Sequence, residues 1–142
     1  MEELTFSQIL GKIKDAKLET DNFDTVIGIG RGGIVPGSLI ANYLKTDFAV
    51  LWLNFRDDSH CPRHEKPKLV KDFDMDLTGR KVLVVDDVSK SGATLTKAKE
   101  ILKAKNASKI KTLVVNGPKN KTDYPLDYTL FSFEKCVKFP WN

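Results

Sequence analysis

Val82-Leu83-Val84-Val85 is an unbroken apolar run that ends on two carboxylates, Asp86 and Asp87. A run so short and continuous suits a strand covered on both faces, because a strand with one wet face would alternate. Strands of that kind belong to parallel sheets, whose connections are crossover helices. The rest of the chain has the matching rhythm. Thr5-Phe6-Ser7-Gln8 has capping-box spacing ahead of Ile9, Leu10 and Ile13, which predicts a helix over 5–17. Thr25-Val26-Ile27-Gly28-Ile29 is a second buried strand, followed by a helix over Val35–Leu44 and a strand over Phe48–Leu53. Leu69–Phe73 reads as a flanking strand and Leu77-Thr78-Gly79-Arg80 as a turn. Ala93–Lys105 carries Leu95, Ala98, Ile101 and Leu102 on one helical side, and Ile110–Val115 is a further strand. The tail after Asn116, broken by Pro118, Pro125 and Pro140, reads as irregular with one strand near Tyr128–Phe133. The expected class is α/β: a parallel twisted, Rossmann-like sheet with helices on both faces, in one domain over 1–142. Residues 54–68, polar and charged, read as a long loop.

In such sheets ligands sit beyond the carboxyl ends of the strands. Two junctions therefore matter. At the first, Gly28-Ile29-Gly30-Arg31-Gly32-Gly33 matches G-x-G-x-x-G in form. The dinucleotide fingerprint also wants an acid at the end of the next strand, and Leu53-Asn54 offers none. What stays open is a tight turn needing positive φ, or an anion site in which Gly32 and Gly33 admit an oxyanion and Arg31 offers a bidentate fork.

At the second junction, Asp86-Asp87-Val88-Ser89-Lys90-Ser91-Gly92-Ala93-Thr94 places acids before a small-residue loop that opens a helix. The helix start and the hydroxyls of Ser89, Ser91 and Thr94 make a phosphate cradle. Carboxylates beside a phosphate would repel it unless they hold something else, and a sugar diol or a hydrated divalent cation fits. A plain strand cap stays open. A receiver domain is excluded, because the next strand ends Val115-Asn116 without a phosphoacceptor. A P-loop is excluded by the missing Gly-Lys-Ser/Thr.

The net charge of +4 suits a polyanionic partner, but no block of five basic residues occurs, so a bulk nucleic-acid surface is not expected. Two cysteines exclude a disulfide scaffold, and no apolar run approaches the roughly 20 residues of a membrane helix. The acidic, amphipathic start does not read as a signal peptide, and a cytoplasmic location is expected.

These motifs resemble the type I phosphoribosyltransferases, in particular the small xanthine-guanine and archaeal-type purine enzymes. Val82–Thr94 is similar to the family's diphosphoribose-binding motif and Val26–Gly37 to its pyrophosphate loop. Residues 54–68 fall where the family has its catalytic loop, and 117–142, with the N-terminal segment, where it has a small C-terminal hood. The resemblance implies a cytoplasmic, Mg²⁺-dependent salvage enzyme, dimeric or larger, that takes phosphoribosyl diphosphate (PRPP) and a nucleobase. It implies that Asp86 and Asp87 hold the ribose hydroxyls and the metal. Ser89, Lys90, Ser91, Gly92, Ala93 and Thr94 would cradle the 5-phosphate, and Arg31, Gly32 and Gly33 the pyrophosphate. It also implies a strained or cis peptide between Gly30 and Arg31. Lys90 stands where purine enzymes carry a proton-handling Asp, and a lysine acts as a base only if its pKa is strongly lowered. Gly117 stands where they carry a lysine, with Lys119 as a shifted substitute. Cys136, beside Val137, stands where they carry a stacking aromatic ring. Catalysis is thus assigned to Asp86, Asp87 and Lys90, and base binding to Lys119, Cys136 and Val137. The alternative on the same fold is a non-catalytic PRPP- or nucleotide-binding regulator.

His60, Cys61 and His64 have metal-like spacing, but only three ligands are close, and a plain loop with cationic groups Arg63, His64, Lys66 and Lys68 is the preferred reading. The aromatic series Tyr124, Tyr128, Phe131, Phe133, Phe139 and Trp141 reads as core or dimer contact.

Overall fold

The buried runs organise the sheet. In the computed structural model, which describes residues 1–54, 68–71, 74–124 and 126–142, the strands in chain order are β1 (Glu2–Glu3), β2 (Thr25–Gly30), β3 (Asp47–Asn54), β4 (Lys68–Lys71), β5 (Lys81–Val88), β6 (Lys109–Asn116), β7 (Tyr128–Phe131) and β8 (Val137–Lys138). Six of them form one sheet in the order β4-β3-β2-β5-β6-β7. All its pairings are parallel except β3 with β4, so the predicted parallel sheet carries one antiparallel edge strand. The expected loop over 54–68 meets β3 and β4 at its ends, and 55–67, with His60, Cys61, His64, Arg63 and Lys66, lie outside the described residues.

Among the described residues three α-helices cover the sheet: α1 (Phe6–Asp15), α2 (Ile34–Leu44) and α3 (Ala93–Ala104). The capping box forms as its spacing predicts: the Gln8 N–H donates to Thr5 Oγ1 at 3.1 Å, and the Thr5 N–H donates to Gln8 Oε1 at 2.8 Å. Strand pleating then sorts the core. Val26, Leu83 and Val85 face Ile9 and Ile13 of α1 and Ile40 and Ala41 of α2. Val82, Val84, Ile27 and Ile29 face Leu95, Ala98 and Leu102 of α3. Both faces of β2 and β5 are therefore dry, which is why their sequence does not alternate.

Two features depart from the expectation. Strand β5 does not stop at Val85 but continues through Asp86 and Asp87 to Val88, because β6 runs alongside it as far as the Val88–Asn116 pair. The tail is also more regular than its prolines suggest: β8 pairs in parallel with β1, so the segment after Cys136 is zipped to the residues before α1.

At the amino ends of the strands, Asp21 closes a 3₁₀ turn (Leu18–Asp21) and accepts from the Tyr128 hydroxyl, from Lys111 Nζ at 3.1 Å and from Lys109 Nζ at 3.3 Å. The Tyr128 hydroxyl, followed by Lys111, holds the Asp21 carboxyl down at about 2. No helix among the described residues is long and apolar enough to cross a membrane.

Candidate functional site

Strands β2 and β5 are parallel neighbours with Gly28 opposite Val85, so the two junctions singled out in the sequence leave the sheet side by side. The β2 junction is a tight reversal. The Gly33 N–H donates to Ile29 O at 2.8 Å and the Ile34 N–H to Arg31 O at 3.2 Å, and the Gly30–Arg31 peptide is cis. The glycines are not there for positive φ: among the described glycines only Gly79 and Gly92 have it. They are there because no side chain fits. A Cβ on Gly32 would run into the Asp87 carboxylate. One on Gly33 would strike Val85 O and come within 2.8 Å of Ile29 N. The turn thus lies directly on the end of β5, with Arg31 exposed above it.

The two carboxylates differ. Asp86 is 9% exposed, and Asp87 is half-buried against Gly32. The Asp87 N–H donates to Asp86 Oδ1 at 2.8 Å and the Val88 N–H to Asp87 Oδ1 at 2.7 Å, so backbone donors fix both groups. Burial, and next the charge of Asp87, push the Asp86 carboxyl well above the usual carboxylate range. A cation or a pair of hydroxyl donors placed there would relieve that cost.

Beyond Val88 the loop reaches α3. Gly92, at φ +80°, is the N-cap and supplies no side-chain cap; Ser91 Oγ accepts from the Ala93 N–H at 3.3 Å. Lys90 and Ser91 are exposed and Thr94 is half-buried at the helix start. Ser89 faces elsewhere: its hydroxyl donates to the Tyr124 hydroxyl at 2.9 Å. Arg31, Gly32, Gly33, Asp86, Asp87 and the loop 89–94 thus converge on one end of the sheet.

The residues assigned to the base converge less. Lys119 is exposed in the segment after β6, and Cys136 is a free, exposed thiol whose carbonyl accepts from the Glu2 N–H at 3.0 Å. Val137 is half-buried in β8. No hydrogen bond among the described residues joins Lys119 to either. Gly117 is buried, and a Cβ on it would lie 2.8 Å from Val114 Cγ2 and 3.1 Å from Thr129 Cγ2, so this position serves packing.

Two residues escape the sequence reading as parts of the site. Asn116, 7% exposed at the end of β6, donates through Nδ2 to Phe133 O at 3.2 Å and accepts from the Phe133 N–H at 2.8 Å. It ties the C-terminal segment to the strand end. Its only sequence signal is a polar residue closing an apolar run. Tyr124 belongs by sequence with the core aromatics; its ring does pack there, against the cluster under α3, but its hydroxyl meets Ser89.

The family model described as the phosphoribosyl transferase domain matches residues 5–142. A solved purine phosphoribosyltransferase from Pyrococcus horikoshii superposes with a TM-score of 0.84 at 32% identity, over 99% of this chain and 94% of that one. A hypoxanthine-guanine phosphoribosyltransferase of Aquifex aeolicus is 38% identical over 80% of this chain and 65% of its own length. The transcriptional regulator GfcR of Methanococcoides burtonii is 35% identical over 77% of this chain and 53% of its own length. An orotate phosphoribosyltransferase of Sulfurisphaera tokodaii is 32% identical over 78% and 51%. The chain spans about half the length of these last two relatives.

Proposed function

The chain belongs to the phosphoribosyl transferase domain family, and from that premise we propose that it transfers the 5-phosphoribosyl group of PRPP to a nucleobase, releasing pyrophosphate. The observation that carries the reading is the contact of the Gly32 turn with the Asp87 carboxylate, which sets an anion-binding turn against a diol-binding acid pair.

On this reading the α3 start, with Ser91 and Thr94, binds the 5-phosphate, and Asp86 and Asp87 accept hydrogen bonds from the ribose hydroxyls. The guanidinium of Arg31 and the Gly32 and Gly33 backbone bind the pyrophosphate. The bond from the anomeric carbon to the pyrophosphate oxygen breaks, the oxygen keeps the electron pair, and a base nitrogen forms the new bond to that carbon. The transition state is cationic at the sugar, so the protein acts by positioning and by stabilising the leaving group. The residues fit Mg²⁺: the described residues hold no cluster of three or more metal-ligating side chains, but two adjacent hard carboxylates suit an ion that takes its other oxygens from ligand and water. When bound, Mg²⁺ supplies positive charge to the departing pyrophosphate. Lys90, exposed beside the cradle, stands at the position where the purine enzymes that the sequence resembles carry a proton-handling Asp.

Catalysis is tested by PRPP consumption with Mg²⁺ and each of guanine, xanthine, hypoxanthine, adenine, uracil and orotate. We expect pyrophosphate release with at least one purine; none with any base would overturn the enzymatic reading. The similarity to GfcR supports a second reading, a PRPP- or nucleotide-binding regulator. It predicts tight PRPP binding by calorimetry without turnover.

A further inference from the structure

Between the end of β5 and the start of α3, the loop Ser89–Gly92 has little of its own to hold it. Its backbone contact to the sheet is a long one, from the Ser89 N–H to Asn116 O at 3.4 Å. Lys90 and Ser91 are exposed. Gly92 sits at φ +80°, which glycine tolerates because it lacks a Cβ, and so it has no side chain of its own to pack. Yet the loop is clasped from behind. The ring of Tyr124 occupies the space where a Gly92 Cβ would stand, and its hydroxyl accepts from Ser89 Oγ at 2.9 Å. Tyr124 is itself fixed, its carbonyl accepting from Thr122 Oγ1 at 3.0 Å and its ring packing against the core under α3. One side chain from the 117–127 segment therefore touches the loop at its first and fourth residues.

We propose that Tyr124 is a positioning residue for the sugar-phosphate loop, and that Ser89 serves as its anchor instead of as a phosphate ligand. The proposal rests on the reading of 89–94 as a phosphate cradle. Its physical content is pre-organisation. Held by Tyr124, the loop presents the α3 start to a phosphate in one conformation, and the ordering cost is not incurred at binding. It also couples the segment that follows β6 to the PRPP site without touching the ligand.

The test uses Tyr124→Phe, Ser89→Ala and the double variant. In ligand-free protein, amide exchange over residues 89–95 should speed up by about fivefold in each single variant, the size expected for one hydrogen bond. Exchange in the centre of β5 should stay at the wild-type rate. The double variant should match the singles, because both remove the same bond. PRPP affinity by calorimetry should fall by a similar factor in all three. Unchanged exchange in Tyr124→Phe would overturn the latch. Faster exchange with unchanged PRPP affinity would overturn its positioning role. A Ser89→Ala loss far above that of Tyr124→Phe would show that Ser89 contacts the ligand. Wild-type protein that binds no PRPP would instead overturn the proposed function, while the exchange measurement still decides the latch.

Discussion

Asn116→Leu should be among the most damaging single changes outside the apolar core. The leucine has the same branched outline with bulkier ends, so no cavity forms and any overpacking only adds to the loss. What it removes is the pair of bonds between the Asn116 amide and the Phe133 backbone, at 3.2 and 2.8 Å. Each such bond contributes about 1 kcal/mol net, and each partner left unsatisfied in a buried place costs about 1–3 kcal/mol. Phe133 is half-buried, so water recovers part of that penalty, and the expected loss is about 2–4 kcal/mol. For a domain of this size that is a fall in Tm of roughly 6–16 °C. Asn42→Ala is the control: its amide also makes a good bond, to Ser38 O at 2.9 Å, but on an exposed helix surface where water substitutes for it. Urea unfolding should put the control within about 0.5 kcal/mol of wild type. If Asn116→Leu cost no more than Asn42→Ala, the account of Asn116 as a buried clip would be wrong. Base-dependent turnover should also suffer more than PRPP affinity, because the clip holds the C-terminal segment and not the phosphate loop.

Gly11 is exposed within α1, and a Cβ placed on it would meet nothing within 4 Å, so Gly11→Ala should raise stability by about 0.5–1 kcal/mol in urea unfolding and leave activity unchanged. Gly33→Ala should do the opposite by more than about 1 kcal/mol, because its Cβ meets the backbone of Val85 and Ile29, which cannot rotate away. For Asp21 the folded-state value of about 2 lies below the ordinary aspartate value of 3.8, so its contribution is present above about pH 4 and lost as the pH falls towards 2. The stability gap between wild type and Asp21→Asn should therefore narrow over that window in urea titrations. Asp86 is raised, so its ionisation opposes folding at neutral pH; Asp86→Asn should unfold at higher urea than wild type at pH 7, lose that advantage below about pH 4, and bind PRPP more weakly by calorimetry.

The sequence disclosed the strands that are dry on both faces, since β2 and β5 have to be written in Val, Ile and Leu. It disclosed α1 through the Thr5–Gln8 box, and the side-by-side junctions through the parallel order. It did not disclose that β5 carries Asp86 and Asp87 inside its ladder. Two adjacent acids look like a strand end, and what extends the strand is its distant partner β6, through the Asp86–Val114 and Val88–Asn116 pairs. Strands β1 and β8 are two residues each, too short to show any period. The glycines after β2 were legible as special, but the reason, contact with Asp87 and Val85, belongs to a neighbouring strand. Tyr124 reaches Ser89 across 35 positions, and nothing local in Lys121-Thr122-Asp123-Tyr124 announces it.

Asp86 and Asp87 thus stand on framework while Ser89–Gly92 stands on a loop. Backbone paired within a sheet opens only with the large free energy of its strand, whereas loop backbone opens at small cost. A ligand bridging the two would meet a sugar-hydroxyl end set in the sheet and a phosphate end held in place mainly by the Tyr124 contacts, the weaker of the two supports. The fixed end then sets the register of the ligand, and the phosphate end sets how long it stays. Substitutions near the carboxylates should act on which sugar fits, and substitutions around the loop on dissociation rate.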